Sequence, residues 1–342
     1  MNTKAQKKEF DLVSFGEVML RLCPPDKEKI SHGAVFEKNA GGSELNVAAG
    51  AAYLGCRSAI ITKLPDNKIG RFIQYKIRYS NVSDDYVLAD KSDNQRLGIY
   101  YYETGAYPRK SSVIYDRANS SMNSISIDEI DPALFSKTTL FHISGVSLAL
   151  RGNIRDTGIE LIKKFKEGGA AISFDFNYRA SLWDEEEARN TIVPMLPYID
   201  VLFVSEETSR RMMGKTGTMH EIMKQYADEY GCKVVLSTQR EVISPTKHNF
   251  GSTIYCNGKY YEQDPYKNIE IVDRVGSGDA YVGGALFALL TYQDCQKALE
   301  FGNAMGAVKN TINGDLPVCS FEEVESIIKS HKSKGPQSEM NR

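Results

Sequence analysis

Residues 272–286 read VDRVGSGDAYVGGAL: an apolar strand end, a run of small residues, a carboxylate, and then a small-residue, apolar stretch that reads as a buried helix. Asp279 at the start of that helix suits both the exposed N–H groups and the positive end of the helix dipole. Capping alone does not call for Gly276, Ser277 and Gly278 in succession, because one glycine is enough for a turn. A run of small residues lets backbone N–H groups close around an anion at a helix N-terminus. The stretch is therefore read as an oxyanion or phosphate cradle with a carboxylate beside it.

Outward from this stretch, strand and helix signals alternate along most of the chain. DLVSFGEVML (11–20) reads as a strand and ELNVAAGAAYLG (44–55) as a small-residue helix closed by Gly55. TLFHISGV, AAISFDFN, VLFVSEE and KVVLSTQ follow as strands, interleaved with the amphipathic helices NIRDTGIELIKKFKEGG and HEIMKQYADEYG. GSTIYCNGKYYEQ carries an Asn-Gly hairpin turn, and the helices GDAYVGGALFALL and DCQKALEFGNAMGAVKNT come after it. Such alternation predicts a mostly parallel sheet covered by helices on both faces, an α/β/α three-layer domain of the Rossmann-like kind. Two segments break the rhythm, 21–42 and 96–122, with alternating polarity, turn residues and many tyrosines. They suit a small β-sheet, with strands from about 20–40 and 97–120, standing off the main domain as a lid over the C-terminal ends of the parallel strands. Residues 331–342 read as a loose tail.

The chain has 342 residues, enough for one large α/β domain with an appendage. Its 42 basic and 44 acidic residues create no field that would recruit nucleic acid or anionic lipid, which leaves a small molecule as the expected partner. The opening MNTKAQKKEF lacks an apolar signal core, and no run approaches the roughly 18 apolar residues of a membrane span, so a cytoplasmic protein is expected. Cys23, Cys56, Cys232, Cys256, Cys295 and Cys319 are scattered without a C-x-x-C pair, and are read as small apolar residues in a reducing compartment. The five histidines show no metal-ligand spacing.

A second glycine-rich site, NAGGSELNVAAGAAYLG (39–55), sets Gly41 and Gly42 before a helix in which Asn46 and the alanines permit close packing. Together with DRVGSGDAYVGG it resembles the two hallmark segments of the ribokinase-like carbohydrate kinases, over roughly residues 10–330 and in matching order and separation. Within that family the chain looks most like the 2-keto-3-deoxygluconate kinases. FGEVMLRLCPP (15–25), YDR (115–117), DFNYR (175–179) and the run from STQREVISP (237–245) to IVDRVGSGDA (271–280) have counterparts there.

The resemblance implies ATP-dependent, Mg²⁺-assisted phosphorylation of a sugar, a reaction that needs positioning, charge neutralisation and a base for the acceptor hydroxyl. It implies Asp279 as that base and Gly276, Ser277 and Gly278 as the anion hole. Ser277 departs from the usual Ala or Gly, which leaves the backbone donors intact and adds a hydroxyl. For the sugar it implies Gly41, Gly42 and Asn46, together with Tyr115, Arg117 and Arg179; the two arginines suit the carboxylate of a sugar acid. Tyr100 is a further candidate, although a one-residue change of register in the YYY run would put Tyr101 or Tyr102 in its place. Asp315 of NGDLP is placed facing the ligand. Ser237, Thr238 and Arg240 are implied as lining the nucleotide pocket, the latter two agreeing with the keto-deoxygluconate subgroup, and Asn303 as bordering the adenine.

The family's N-x-x-E element associated with Mg²⁺ is missing here, because Ser205 and Thr208 stand in its positions. Glu206 and Glu207 are the nearby acids, equally well explained as helix-start carboxylates. A 2-keto-3-deoxygluconate kinase is the expected function. The alternatives are a kinase for fructose, ribose or another sugar acid, or a sugar or nucleotide binder without catalysis. Apolar tyrosine-rich lid strands suggest a homo-oligomer formed through the lid.

Overall fold

The computed structural model describes residues 8–244 and 246–333. Its strands are, in chain order, β1 (Phe10–Phe15), β2 (Met19–Cys23), β3 (Glu37–Gly41), β4 (Ser58–Pro65) and β5 (Val82–Ser83). Next come β6 (Val87–Asp90), β7 (Ile99–Glu103), β8 (Ser112–Asp116), β9 (Thr138–Ser144) and β10 (Ala171–Asp175). The series closes with β11 (Val201–Phe203), β12 (Val234–Ser244), β13 (Lys247–Cys256), β14 (Lys259–Glu262) and β15 (Tyr266–Glu270).

The large sheet runs β14-β13-β12-β11-β10-β9-β1-β4-β5, with β15 also beside β13 and β6 beside β4. From β12 to β5 every neighbour is parallel, whereas the β13 edge is antiparallel. Side-chain alternation along these strands builds a core on each face. Val13, Phe15, Phe141, Ile143, Ile172 and Phe174 join the core under the helices Gly152–Glu167 and Met219–Tyr230. Leu12, Leu140, Val201, Phe203 and Leu236 join the other, under the helices Ser277–Tyr292, Cys295–Lys309 and Phe321–Ser333. The expected three-layer α/β/α architecture is therefore present.

The second sheet has the order β3-β2-β7-β8 and matches the two segments that broke the rhythm. DLVSFGEVML is not one strand. It divides after Phe15, so that β1 lies in the main sheet and β2 in the small one, with Gly16 to Val18 turning the chain out at the C-terminal end of β1. The tyrosine register is also settled: Tyr100 and Tyr102 are buried against Met19 and Cys23, while Tyr101 meets Phe36 on the opposite face. All of β8 is exposed.

The expectation of unpaired thiols is corrected at one pair. Cys256, ending β13, and Cys295, opening the next-to-last helix, form a disulfide with Cα atoms 6.8 Å apart, and Cys23, Cys56, Cys232 and Cys319 are free and buried. A separation of 39 residues hides this pairing, because the packing of a helix on the sheet edge creates it. The last helix extends to Ser333, into the segment read as a loose tail, and residues 334–342 lie outside the described residues.

Candidate active site

Asp279 sits in the first turn of the helix Ser277–Tyr292, whose initial N–H groups have no partner within the helix. Gly276 is its N-cap in the left-handed region (φ 81°), and a side chain there would collide with the carbonyl oxygen of Asp315. Gly278 faces open space, with no atom within 4 Å of where a Cβ would stand. Amides at 276–278 thus stand at a helix start suited to an anion, with Ser277 N also donating to the Arg274 carbonyl at 3.3 Å. The Asp279 carboxylate is oriented from the helix Ser43–Tyr53: Ser43 Oγ donates to its Oδ1 and Asn46 Nδ2 to its Oδ2, both at 2.8 Å. Asn177 Nδ2 in turn donates to Ser43 Oγ at 3.0 Å. Burial pushes the Asp279 pKa up, against the hydrogen bonds from Asn46 and Ser43 and the positive charge of Arg179.

Asp175, at the C-terminal end of β10, belongs to the same cluster and was not singled out from sequence. Burial, reinforced by the charge of Asp279 and opposed by the Asn177 N–H and Arg179, raises its pKa to about 7. Arg179 lies just beyond on an exposed loop and has no carboxylate partner among the described residues. Two carboxyl groups and a guanidinium therefore lie close enough to act on one another at the C-terminal end of β10. Ser43 and Asn177 were also missed. Their signal lies inside quoted motifs, in the residue after Gly41-Gly42 and in the Asn of DFN, but pairing them with Asp279 requires the tertiary structure.

The lid residues divide into contacts open to a ligand and buried supports. Tyr115 is exposed on β8 opposite Tyr100, their rings 5.8 Å apart. Arg117 is not a free cation: its Nε donates to Glu17 at 2.7 Å, and the buried Glu17 also accepts from Ser120. Asp315 does not present its carboxylate to an open cleft, as the sequence suggested. It is 3% exposed and accepts from Arg21 Nη1 at 2.6 Å and from the Tyr100 hydroxyl. Arg21, 1% exposed, reaches Asp273 at 2.5 Å with its other terminal nitrogen and lies 4.4 Å from the centroid of the Tyr102 ring. A Cβ on Gly41 would come within 2.5 Å of Asp315 Oδ2 and 2.6 Å of the Tyr100 hydroxyl, so the absence of a side chain there is already required by this network. Gly42 is the N-cap of the helix Ser43–Tyr53. Sequence reading missed Arg21 and Asp273, since nothing marks one arginine in RLCPP as buried.

The nucleotide candidates separate in the same way. Thr238 is half-buried and Arg240 exposed, both on β12. Ser237 and Asn303 are buried, Asn303 completely, with its Oδ1 accepting from Ser252 Oγ at 2.7 Å, so neither lines an open cleft. Partial burial and the like charges of Arg274 and Arg179 lower the pKa of Arg240. None of these arginines has an acidic partner among the described residues, a grouping that fits a polyanion. For a divalent cation, Glu206 and Glu207 are exposed and paired along their own helix with Arg210 and Arg211, as helix-start carboxylates commonly are. Among the described residues no His, Cys, Asp and Glu cluster could hold a metal by itself. That fits Mg²⁺ held through phosphates and waters with few protein carboxylates. None of the described helices is long and apolar enough to cross a membrane.

The sequence profile of the pfkB family carbohydrate kinases matches residues 9–315. The chain is 35% identical to a 2-dehydro-3-deoxygalactonokinase of Haloferax volcanii over 319 residues, covering 93% of this chain and 96% of the relative. It is 28% identical to a 2-dehydro-3-deoxygluconokinase of Thermoproteus tenax over 325 residues, 93% and 94% of the two chains. A crystal structure of 2-dehydro-3-deoxygluconokinase from Thermotoga maritima superposes with a TM-score of 0.89 at 35% identity, covering 94% of this chain and 98% of that one.

Proposed function

The chain belongs to the pfkB family of carbohydrate kinases, and from that premise we propose that it phosphorylates a 2-keto-3-deoxy sugar acid on its terminal hydroxyl, with 2-keto-3-deoxygluconate giving the 6-phosphate. The observation that carries this reading is the convergence of the oriented Asp279 carboxylate, the helix-start amides at 276–278 with open space at Gly278, and Arg179, which has no carboxylate partner among the described residues.

Asp279 takes the proton of the acceptor hydroxyl. Its raised pKa makes it a better base than an exposed aspartate, and Ser43 and Asn46 fix its direction. The amides of Gly276, Ser277 and Gly278 stabilise negative charge developing on the transferred group. Arg179 holds the sugar carboxylate, while Arg117, neutralised by Glu17, orders the lid instead. Kinases of this family use ATP and Mg²⁺, which supply the phosphoryl group and neutralise its oxygens; Thr238, Arg240 and Arg274 are the residues suited to hold the nucleotide's phosphate end. The Haloferax relative supports a second reading, the same reaction on the galacto epimer. The exposed Val113, Ile114 and Tyr115 of β8 further support a homo-oligomer formed through the lid.

The test is coupled ADP release across a panel of aldoses, ketoses, aldonic acids and both 2-keto-3-deoxy acid epimers. Preference for a ketodeoxy acid is expected. Preference for fructose or ribose would overturn the acid assignment, and ATP turnover with no sugar on the panel would overturn the kinase reading.

A further inference from the structure

Lys309 ends the helix Cys295–Lys309 and is completely buried, a costly place for an ammonium group. Among the described residues it has no direct carboxylate partner. Its Nζ donates to the backbone carbonyl of Asp273 and to that of Ile312, both at 3.0 Å. Those carbonyls belong to the segment entering the 276–278 cradle and to the loop that carries Asp315.

The same segment is held from every other side. Asn310 O accepts from the N–H groups of Val272 and Asp273 at 2.8 and 3.2 Å. The Asp273 carboxylate accepts from Val275 N at 3.0 Å, from Gly314 N at 3.1 Å and from Arg21 at 2.5 Å. Gly276 then packs under the carbonyl of Asp315. Lys309 and Arg21 stand against Asp273 and Asp315, and among the described residues only Lys309 bridges the two loops through main-chain oxygens. Burial lowers the Lys309 pKa, while Asp273 and Asp315 oppose that change. A methionine of similar length would fill the space without the desolvation cost. The cation has a specific effect that an apolar side chain lacks: it draws two loop carbonyls to one point and sets the peptide planes that follow.

We propose that Lys309 is a positioning residue for phosphoryl transfer, a tethered cation that joins the Asp273 and Ile312 carbonyls and thereby keeps the 276–278 amides aimed at the transferred group. This rests on the kinase reading above. A preorganised cradle acts only if its donors stay within a fraction of an ångström of the developing charge. Loss of the cation therefore lowers turnover more than it weakens binding of either substrate.

The experiment compares full-length wild type, Lys309→Met and Lys309→Ala for kcat, for sugar KM and for nucleotide affinity measured by calorimetry, with thermal melting to locate conditions where each is folded. Each is assayed with added ammonium, methylammonium or, as control, choline chloride. The expectation is a kcat lower by roughly 10–100-fold with sugar KM and nucleotide affinity within about threefold. Ammonium should restore at least about a tenth of the lost turnover in Lys309→Ala, where there is room for it, and have no effect on Lys309→Met. Retention of half the wild-type kcat by Lys309→Met, or an Ala variant that is folded, slow and indifferent to ammonium, overturns the proposal. If Lys309→Ala does not fold, Lys309→Gln, which keeps a donor without charge, takes its place. A low kcat at unchanged KM then supports the positioning role, and near-normal kcat or failure of all three variants to fold overturns it. An inactive wild type would instead overturn the kinase reading, so the two failures remain distinct.

Discussion

Replacing Asp279 by Asn separates proton transfer from the structural duties of the same side chain. The carboxylate accepts from Ser43 Oγ and from Asn46 Nδ2, each at 2.8 Å. In Asp279→Asn one of its atoms becomes a donor, and the structure can absorb it on the Ser43 side. A hydroxyl accepts twice, and Ser43 Oγ already accepts from Asn177. The new amide can therefore point at Ser43 while its oxygen stays on Asn46, leaving one hydroxyl hydrogen without its former acceptor. One lost hydrogen bond of this kind costs about 1 kcal/mol, equivalent to roughly 1–2 °C in Tm for a domain this large. Loss of the base should instead lower kcat by about 10²–10⁴-fold at the same temperature. Coupled ADP release gives the kinetics, and calorimetry checks that nucleotide binding persists. A folded Asp279→Asn protein with kcat within about tenfold of wild type would refute the general-base assignment. The pH profile adds a second check. Burial raises the Asp279 pKa and places Asp175 near 7, so the reactive carboxylate form of this pair is lost as pH falls through these raised values. Wild-type kcat/KM should decline on the acid side well above the ordinary aspartate range, while the residual activity of the Asn variant lacks that limb.

Arg179→Leu should reduce kcat/KM for a sugar acid by about thirtyfold or more, the low end of the 2–5 kcal/mol attached to an unpaired desolvated anion, and should spare a neutral sugar. Equal losses on both would remove the carboxylate role. Arg21→Met leaves Asp273 and Asp315 buried together without their shared cation, so a destabilisation of about 3–5 kcal/mol is expected in thermal melts; a variant as stable as wild type would show that the network contributes little. Hydrogen exchange on addition of sugar acid and a nonhydrolysable nucleotide should slow in residues 104–120, on the exposed side of the lid, more than in β2, which Arg21 already fastens to the main domain. Equal protection of both segments would mean that the lid moves as one body.

The layered fold was legible because its signals are local. Short apolar strands, amphipathic helices and the Asn-Gly turn each announce themselves within a few residues, and the two polar, tyrosine-rich interruptions locate the second sheet. DLVSFGEVML was misread for a physical reason. Alternation is continuous across Phe15 to Met19, and only the choice of sheet changes there. The Cys256–Cys295 disulfide escaped because it depends on how a helix packs against a sheet edge.

In the proposed site, the residues assigned to meet a ligand were easier to find than those that hold them. Gly276 to Asp279 form one local motif, so their chemistry can be read from spacing. Arg21, Asp273, Asp315 and Tyr100 come from distant segments, and each alone has an ordinary surface or turn explanation. Their burial turns that explanation around: a charged group is tolerated at such depth when opposite charges meet it, as Asp273 and Asp315 meet Arg21. Arg21 thus makes the lid strand β2 part of the loop that shapes the cradle, and Tyr100 does the same for β7 through Asp315. A lid fastened by these two strands cannot open as a free flap. On the proposed function, the part of the small sheet left to close over the sugar is β8 and the connection leading to it, where Tyr115 and its neighbours are exposed and Arg117 is held by Glu17 and the Tyr115 ring.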